Sequence, residues 1–247
     1  MPSKFDPYEQ FSSMKTLPPG QKELNIFPRF GLPQYANRFP EKVDKIKFSV
    51  GGDLEAFIIS DELHTLTRTN QVSDFHCVTT WSKLNLHWSG YRFNEFYTKL
   101  ILPKVPTEIS FVVLKAQDGY KTSLPLIDLM KQNVLLADQL DNQVLTMEHG
   151  APIRIIAPDH YGYKNLKHIK RIEFYTQNQI IKQGYLSFMD HPRARVAHEE
   201  RTTKGPAFFF RWLYKFAIKR TIKNFEKATA KYKRALKIKD KNSTITN

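Results

Sequence analysis

The sequence predicts a mixed, mostly β, α+β body with short helices, followed by a basic amphipathic helix. Three observations carry this expectation. Strand-like and helix-like runs alternate along the chain, and none of the helical runs has the length of a crossover in a doubly wound sheet. The 247 residues are 41% hydrophobic and 25% charged, a balance that fills an ordinary globular core. The net charge of +14 is unevenly placed: residues 206–247 hold 12 Lys/Arg against 2 acids, and the first 205 residues hold 26 against 22. Basicity is a property of the tail, so the chain divides into a body over 1–205 and a tail over 206–247.

Residues 1–24 are polar and proline-bearing, with Leu17-Pro18-Pro19-Gly20 as a turn, and predict an extended arm over the body. Phe27-Pro28-Arg29-Phe30-Gly31-Leu32-Pro33 reads as a rigid loop, because two prolines and a glycine suit no regular element. Ile46, Phe48 and Val50, then Gly51-Gly52-Asp53, then Leu54, Phe57 and Ile58 predict a hairpin. Ser60 stands as the N-cap of a helix beginning Asp61-Glu62-Leu63. Val72 to Val78 is a strand carrying Cys77, and Arg92 to Leu100 a short amphipathic helix. Ile109 to Ala116 is a buried strand, Gln117 to Tyr120 a turn, and Leu124 to Met130 another short helix.

Cys77 is the only cysteine, so no intramolecular disulfide exists, and the thiol is core filler, nucleophile or metal ligand. The residues after it, Thr79-Thr80-Trp81-Ser82, read as a polar, aromatic-flanked turn fit for a pocket wall. In Glu148-His149-Gly150-Ala151-Pro152-Ile153-Arg154, the glycine and proline predict a tight turn that brings His149 and Arg154 to bear on one anion. A strand-leading turn with a surface arginine is the plainer reading. Taken alone, Tyr161 to Lys167 is a solvated basic loop before a strand. The chain lacks Gly-x-Ser-x-Gly, His-Glu-x-x-His and a phosphate loop, and His64, His76, His87 and His149 lack zinc spacing.

Phe75 to Ser82 resembles the cysteine segment of the sulfite oxidase superfamily of molybdenum enzymes. It is most similar to the single-domain bacterial relatives, the group that includes periplasmic methionine sulfoxide reductase. Three further motifs agree in order and spacing: Phe27-x-Arg29-x-x-Leu32-Pro33, His149-Gly150-x-Pro152-x-Arg154, and Tyr161-Gly162-x-Lys164-x-x-Lys167. The resemblance covers roughly residues 17–201. It implies a sulfite-oxidase-type molybdopterin-binding fold, with Cys77 as the protein ligand of molybdenum, a soft thiolate beside a sulfur-rich cofactor. It implies Arg29 and Tyr185 on the substrate side. It implies Pro28, Arg29, Phe30, Gly31, Asp118, His149, Arg154, Asn165, Leu166 and Lys167 around the pterin and its phosphate. Phe30-Gly31 replaces the Asn-His of sulfite oxidases, leaving backbone contacts there, and Asn165 stands where relatives often have Ser.

The implied chemistry is two-electron oxygen-atom transfer on a small-molecule substrate, either sulfite oxidation or sulfoxide or N-oxide reduction. Electrons need a separate partner, since one cysteine holds no iron–sulfur cluster and no heme motif is present. The alternative is a non-enzymatic pterin- or anion-binding module that keeps the fold; the presence of Cys77 argues against it. The tail, at helical spacing over 207–238, is expected to pack on the body, on a second subunit, or on an anionic membrane or acidic partner; nucleic acid is disfavoured. As an appendage it is expected to be dispensable for cofactor binding. No run approaches the roughly 18 apolar residues of a membrane span. The first residues lack a secretion signal's apolar core, so a cytoplasmic location, peripheral to a membrane at most, is expected.

Overall fold

The computed structural model describes residues 17–41, 45–105, 108–179, 181 and 190–245. The strands in chain order are β1 (Lys22–Glu23), β2 (Phe48–Gly52), β3 (Phe57–Ile59), β4 (Arg68–His76), β5 (Trp81–Arg92), β6 (Phe111–Ala116), β7 (Lys121–Pro125), β8 (Leu135–Leu140), β9 (Gln143–Val144), β10 (Arg154–Ile156) and β11 (Ile169–Tyr175). The helices are α1 (Phe93–Phe96), α2 (Leu126–Leu129) and α3 (Ala207–Ile245). The α+β expectation holds, and the strands form two sheets.

One sheet runs β3-β2-β11-β6-β7 and the other β1-β5-β8-β10, with β4 on β5 and β9 on β8. Within the first, β6 reads Phe-Val-Val-Leu, buried on both faces, as a central strand must be. Val112, Leu114, Ile172 and Phe174 there meet Phe93 and Phe96 of α1 and Ile153 and Ile155 near β10, making the largest apolar cluster. A second cluster, Leu86, Trp88, Leu135, Ala137 and Ile156, sits on the other sheet with Phe27 and Phe75 against it. The candidate site is built on this second cluster.

Several expectations are corrected. Ser60 does not cap: Glu62 Oε2 instead accepts from the Ser60 backbone N–H at 2.8 Å, and the segment is a 3-10 turn over Asp61–Thr65. The reach-back carboxylate satisfies the donor that a serine cap leaves free. Lys121–Pro125 is a strand before a one-turn helix, because β6 offers it a pairing edge. The polar turn after Cys77 ends at Thr80; from Trp81 the chain is a 12-residue strand, with Trp81 and Trp88 in the core. Part of the predicted arm is strand: β1 pairs parallel to β5 through Lys22 and Glu23 against Trp81 and Ser82. Residues 1–16 of that arm lie outside the described residues.

The tail is one long helix, and its inner face is packed. Phe210 and Tyr214 join Val78, Tyr161, Ala194 and Val196 in one buried cluster, and Phe225 and Ala228 join Ala36 in another. Tyr232 stacks on Phe39 at 4.0 Å, Arg211 pairs with Glu199, and Lys233 pairs with Glu148. The helix therefore packs on the body, one of the placements expected of it. Phe225→Ala is expected to cost about 3 kcal/mol, the usual range for a buried aromatic, and to lower the urea midpoint accordingly. An unchanged midpoint would mean that α3 contributes no stability to the body.

Candidate active site

Cys77 lies just past β4, in the turn to β5. Its N–H donates to Trp81 O (2.8 Å) and its carbonyl accepts from Thr80 N–H (3.1 Å), and Thr80 takes φ of 76° to close the turn. The thiol is buried, with Sγ 3.1 Å from Thr79 Oγ1. Burial pushes its pKa up; the Thr79 hydrogen bonds and the charges of Arg201 and Lys167 pull the other way. A thiol so placed stays protonated until a cation displaces the proton.

Three of the predicted motifs meet around this turn through their rings. Phe27 lies 5.1 Å from Phe75, 6.1 Å from Trp88 and 5.0 Å from His149, the last stacked, and Phe30 lies 5.5 Å from Trp81. The fourth motif is joined through Gly150. There φ is +113°, and a Cβ would crowd Arg154 Cβ at 3.1 Å and Lys167 Cβ at 3.2 Å. Only glycine allows that turn and that approach together.

The cations of the site are held differently from the sequence expectation. Arg154 is fully buried, and its fork does not face an open anion position: Nη1 donates to His149 O (2.8 Å) and Nη2 to Asn165 O (3.2 Å). Nε remains without a partner among the described residues. Arg29 is likewise committed, donating to the carbonyls of Ala36, Tyr35 and Arg38, with Phe39 and Phe225 on its guanidinium. The guanidinium of Arg29 is thus occupied by loop carbonyls and by rings of the loop and the tail helix. Lys167 donates to Glu148 O at 2.9 Å, its one hydrogen bond among the described residues.

Among the described residues, Arg154 and Lys167 make no ion pair. Burial first, then Arg154 and Arg29, bring the Lys167 amine down to about 7, and burial brings Arg154 to about 9. His149 is held at about 4 by burial and by Lys167 and Arg154. This is positive charge gathered without its counter-charge. The Asp118 carboxyl lies within reach of Lys167 and Arg29, yet burial pushes its pKa up, and it accepts from Tyr120 N–H (2.9 Å) as a turn residue does.

Asn165 and Leu166 serve the fold with their side chains. Asn165 Oδ1 accepts from Ala157 N–H at 2.7 Å, and Nδ2 donates to His160 O at 3.2 Å, while Leu166 is in the main core. Any contact of either with a ligand is left to the backbone. Pro28, Phe30 and Gly31 lie on the loop facing α3, where Phe30 stacks with Phe225 at 6.5 Å. Tyr185 lies outside the described residues.

Two groups escaped the sequence reading. Tyr161 and Tyr214 are buried in the cluster containing Val78, the neighbour of Cys77, and neither hydroxyl has a partner among the described residues. Each phenol is raised by burial and also feels the charge of Cys77. Arg201 lies nearby, 4.9 Å over the Tyr161 ring, but donates to Val78 O and Pro19 O and pairs with Glu199. The signal for Tyr214 was its place four residues after Phe210 on one helical face; nothing in the sequence points that face at Cys77.

A lone soft thiol, unpaired cations and unpartnered polar atoms (Arg154 Nε, His149 Nδ1, Tyr161 OH and Tyr214 OH) fit an anionic, metal-bearing cofactor with a phosphate. Comparison with known proteins agrees. Residues 36–183 match the oxidoreductase molybdopterin binding domain family. The chain is 32% identical over 167 residues to the uncharacterized oxidoreductase YuiH of Bacillus subtilis, covering 66% of this chain and 80% of that protein. It is 27% identical over 171 residues to the protein-methionine-sulfoxide reductase catalytic subunit MsrP of Ralstonia nicotianae, covering 60% of this chain and 51% of that one. A putative protein-methionine-sulfoxide reductase subunit, YedZ1 of Azospira oryzae, is 33% identical over 112 residues, covering 45% of this chain and 41% of that one. The chain thus spans about half the length of the methionine-sulfoxide reductase relatives. Among solved structures, the sulfane dehydrogenase SoxCD of Paracoccus pantotrophus shares the fold, with a TM-score of 0.50 at 18% identity, over 60% of this chain and 43% of that one.

Proposed function

The chain belongs to the oxidoreductase molybdopterin binding domain family and is a molybdenum-dependent oxidoreductase, and on that premise we propose that it reduces neutral S-oxides or N-oxides, with Cys77 as the metal ligand. The bound molybdenum cofactor supplies two-electron chemistry, so that an oxide R₂S=O with two protons and two electrons gives R₂S and water. The residues do the rest. Cys77 releases its proton and offers a thiolate. Lys167 and the buried Arg154 supply positive charge for the pterin phosphate. The Arg154 fork holds the His149 and Asn165 backbones that frame it. Asp118, His149 and the backbones of Pro28, Phe30, Gly31, Asn165 and Leu166 complete the cradle. Tyr161 and Tyr214 offer hydroxyl donors to the substrate oxygen.

The observation that favours a neutral oxide over sulfite is the commitment of the guanidinium groups. Arg29, Arg154 and Arg201 all donate to backbone carbonyls, whereas the two phenol hydroxyls near Cys77 are unpartnered among the described residues. An oxyanion is best met by a free charged fork; a neutral S–O or N–O dipole is met by neutral donors. Electrons come from a separate partner, a reading supported by the two relatives named as subunits and by the single cysteine of this chain. The test is a redox-dye assay of the molybdenum-loaded protein on a panel of sulfoxides, N-oxides and sulfite. Turnover of a neutral oxide with sulfite inert is expected; turnover of sulfite alone would overturn the direction.

A further inference from the structure

The helix α3 has a second face that the body does not use. Phe210, Tyr214, Phe225 and Ala228 point inward and are buried. On the opposite side Phe209, Trp212 and Phe216 are 50%, 58% and 70% exposed, and Phe208 beside them is 65% exposed. Their rings touch one another, Phe209 with Trp212 at 6.4 Å and Trp212 with Phe216 at 5.2 Å. Steps of three and four residues keep them on one stripe. The same stripe continues as Arg220, Lys223, Lys227 and Arg234, all exposed and making no ion pair among the described residues.

We infer that this outer stripe seats the protein on an anionic lipid surface, the aromatic rings entering the headgroup region and the basic residues meeting lipid phosphates. Exposed aromatics in contact are costly in water, and ring followed by cation along one helical face is the pattern of an interfacial helix. Charge complementarity names the surface: four exposed cations against the single Glu226 match an anionic leaflet. Among the described residues no helix is long and apolar enough to cross a membrane, so the helix lies on the surface. The seating is independent of the redox reading, since the stripe faces away from Cys77.

The test is sedimentation of the full, cofactor-loaded protein with vesicles of phosphatidylcholine alone, or with about one third phosphatidylglycerol, at low and high salt. Wild type is expected to pellet only with the anionic vesicles, and less at high salt. The variant Lys223→Glu, Lys227→Glu, Arg234→Glu is expected to bind more than about a hundredfold more weakly at low salt, on the order of fivefold for each charge lost. Trp212→Ala with Phe216→Ala is expected to abolish the binding that survives high salt. All these side chains are exposed, so thermal midpoint and metal content should match wild type. Wild type that stays in solution with anionic vesicles overturns the inference, as does equal pelleting of wild type and both variants. A shift in oligomeric mass on Trp212→Ala, with no pelleting of wild type, would assign the stripe to a contact between copies instead.

Discussion

Cys77→Ser is expected to fold and purify normally, yet to lose both turnover and the sulfur-to-metal charge-transfer absorption. The thiol is 7% exposed and sits 3.1 Å from the Thr79 hydroxyl. A serine hydroxyl keeps that hydrogen bond within the same turn, so the change should cost no more than about 1–2 kcal/mol of stability. What it changes is the donor atom. Serine is a hard ligand whose proton is far harder to displace, and the metal site loses its one soft protein ligand. Activity should fall to the level of free cofactor, while unfolding midpoint and pterin content stay close to wild type. Unaltered absorption and turnover in Cys77→Ser would remove Cys77 from the metal site.

The second large effect is expected at the cation pair. Arg154→Ala with Lys167→Ala should purify without pterin. The donors left for a phosphate are the Lys167 amine and Arg154 Nε; each charged hydrogen bond contributes roughly 1.5–3 kcal/mol, so losing both weakens phosphate binding by on the order of 10² to 10⁴. Arg154 also holds the carbonyls of His149 and Asn165, so its loss carries a stability cost that Lys167→Ala alone does not. The single lysine variant separates the two contributions. It also tests a pH dependence. In the cofactor-free protein the Lys167 amine titrates at about 7, against its ordinary 10.5. Above pH 7 it must take up a proton to meet the phosphate, so affinity should fall as pH rises, and that slope should vanish in Lys167→Ala. Folding has the opposite sign: between about pH 7 and 10.5 the unfolded chain binds the proton and the native one does not, so the cofactor-free fold gains stability with pH. Full pterin occupancy in the double variant would refute the assignment.

The site was most legible where backbone geometry is written in residue type. Gly150 with Pro152, the prolines of the 27–33 loop and the turn at Cys77 each announce a bend, and the structure brings all of them together. Less legible was the destination of long polar side chains. Nothing local tells that Arg29 and Arg154 will spend their forks on carbonyls. Acceptors five to eleven residues away come into reach only through the turns between. The strand over Trp81–Arg92 does carry an alternation, Leu84, Leu86 and Trp88 against Asn85 and His87, but it breaks at Ser89-Gly90, where the pairing with β8 shifts register. The tail was legible as a helix but not in its orientation. It carries aromatic residues on two faces, and composition does not say which face meets the body.

The contact between α3 and the 27–33 loop also sets an order in time. Phe225 rests on Phe30 and Gly31, and Thr229 and Lys233 reach Arg29 and Glu148. These partners are far apart in the chain, so during synthesis the loop, Cys77 and Lys167 all emerge before the helix that covers them. Until α3 docks, Phe30, Gly31 and Arg29 lack the ring and the hydroxyl that meet them in the finished fold, so the loop takes its final form last.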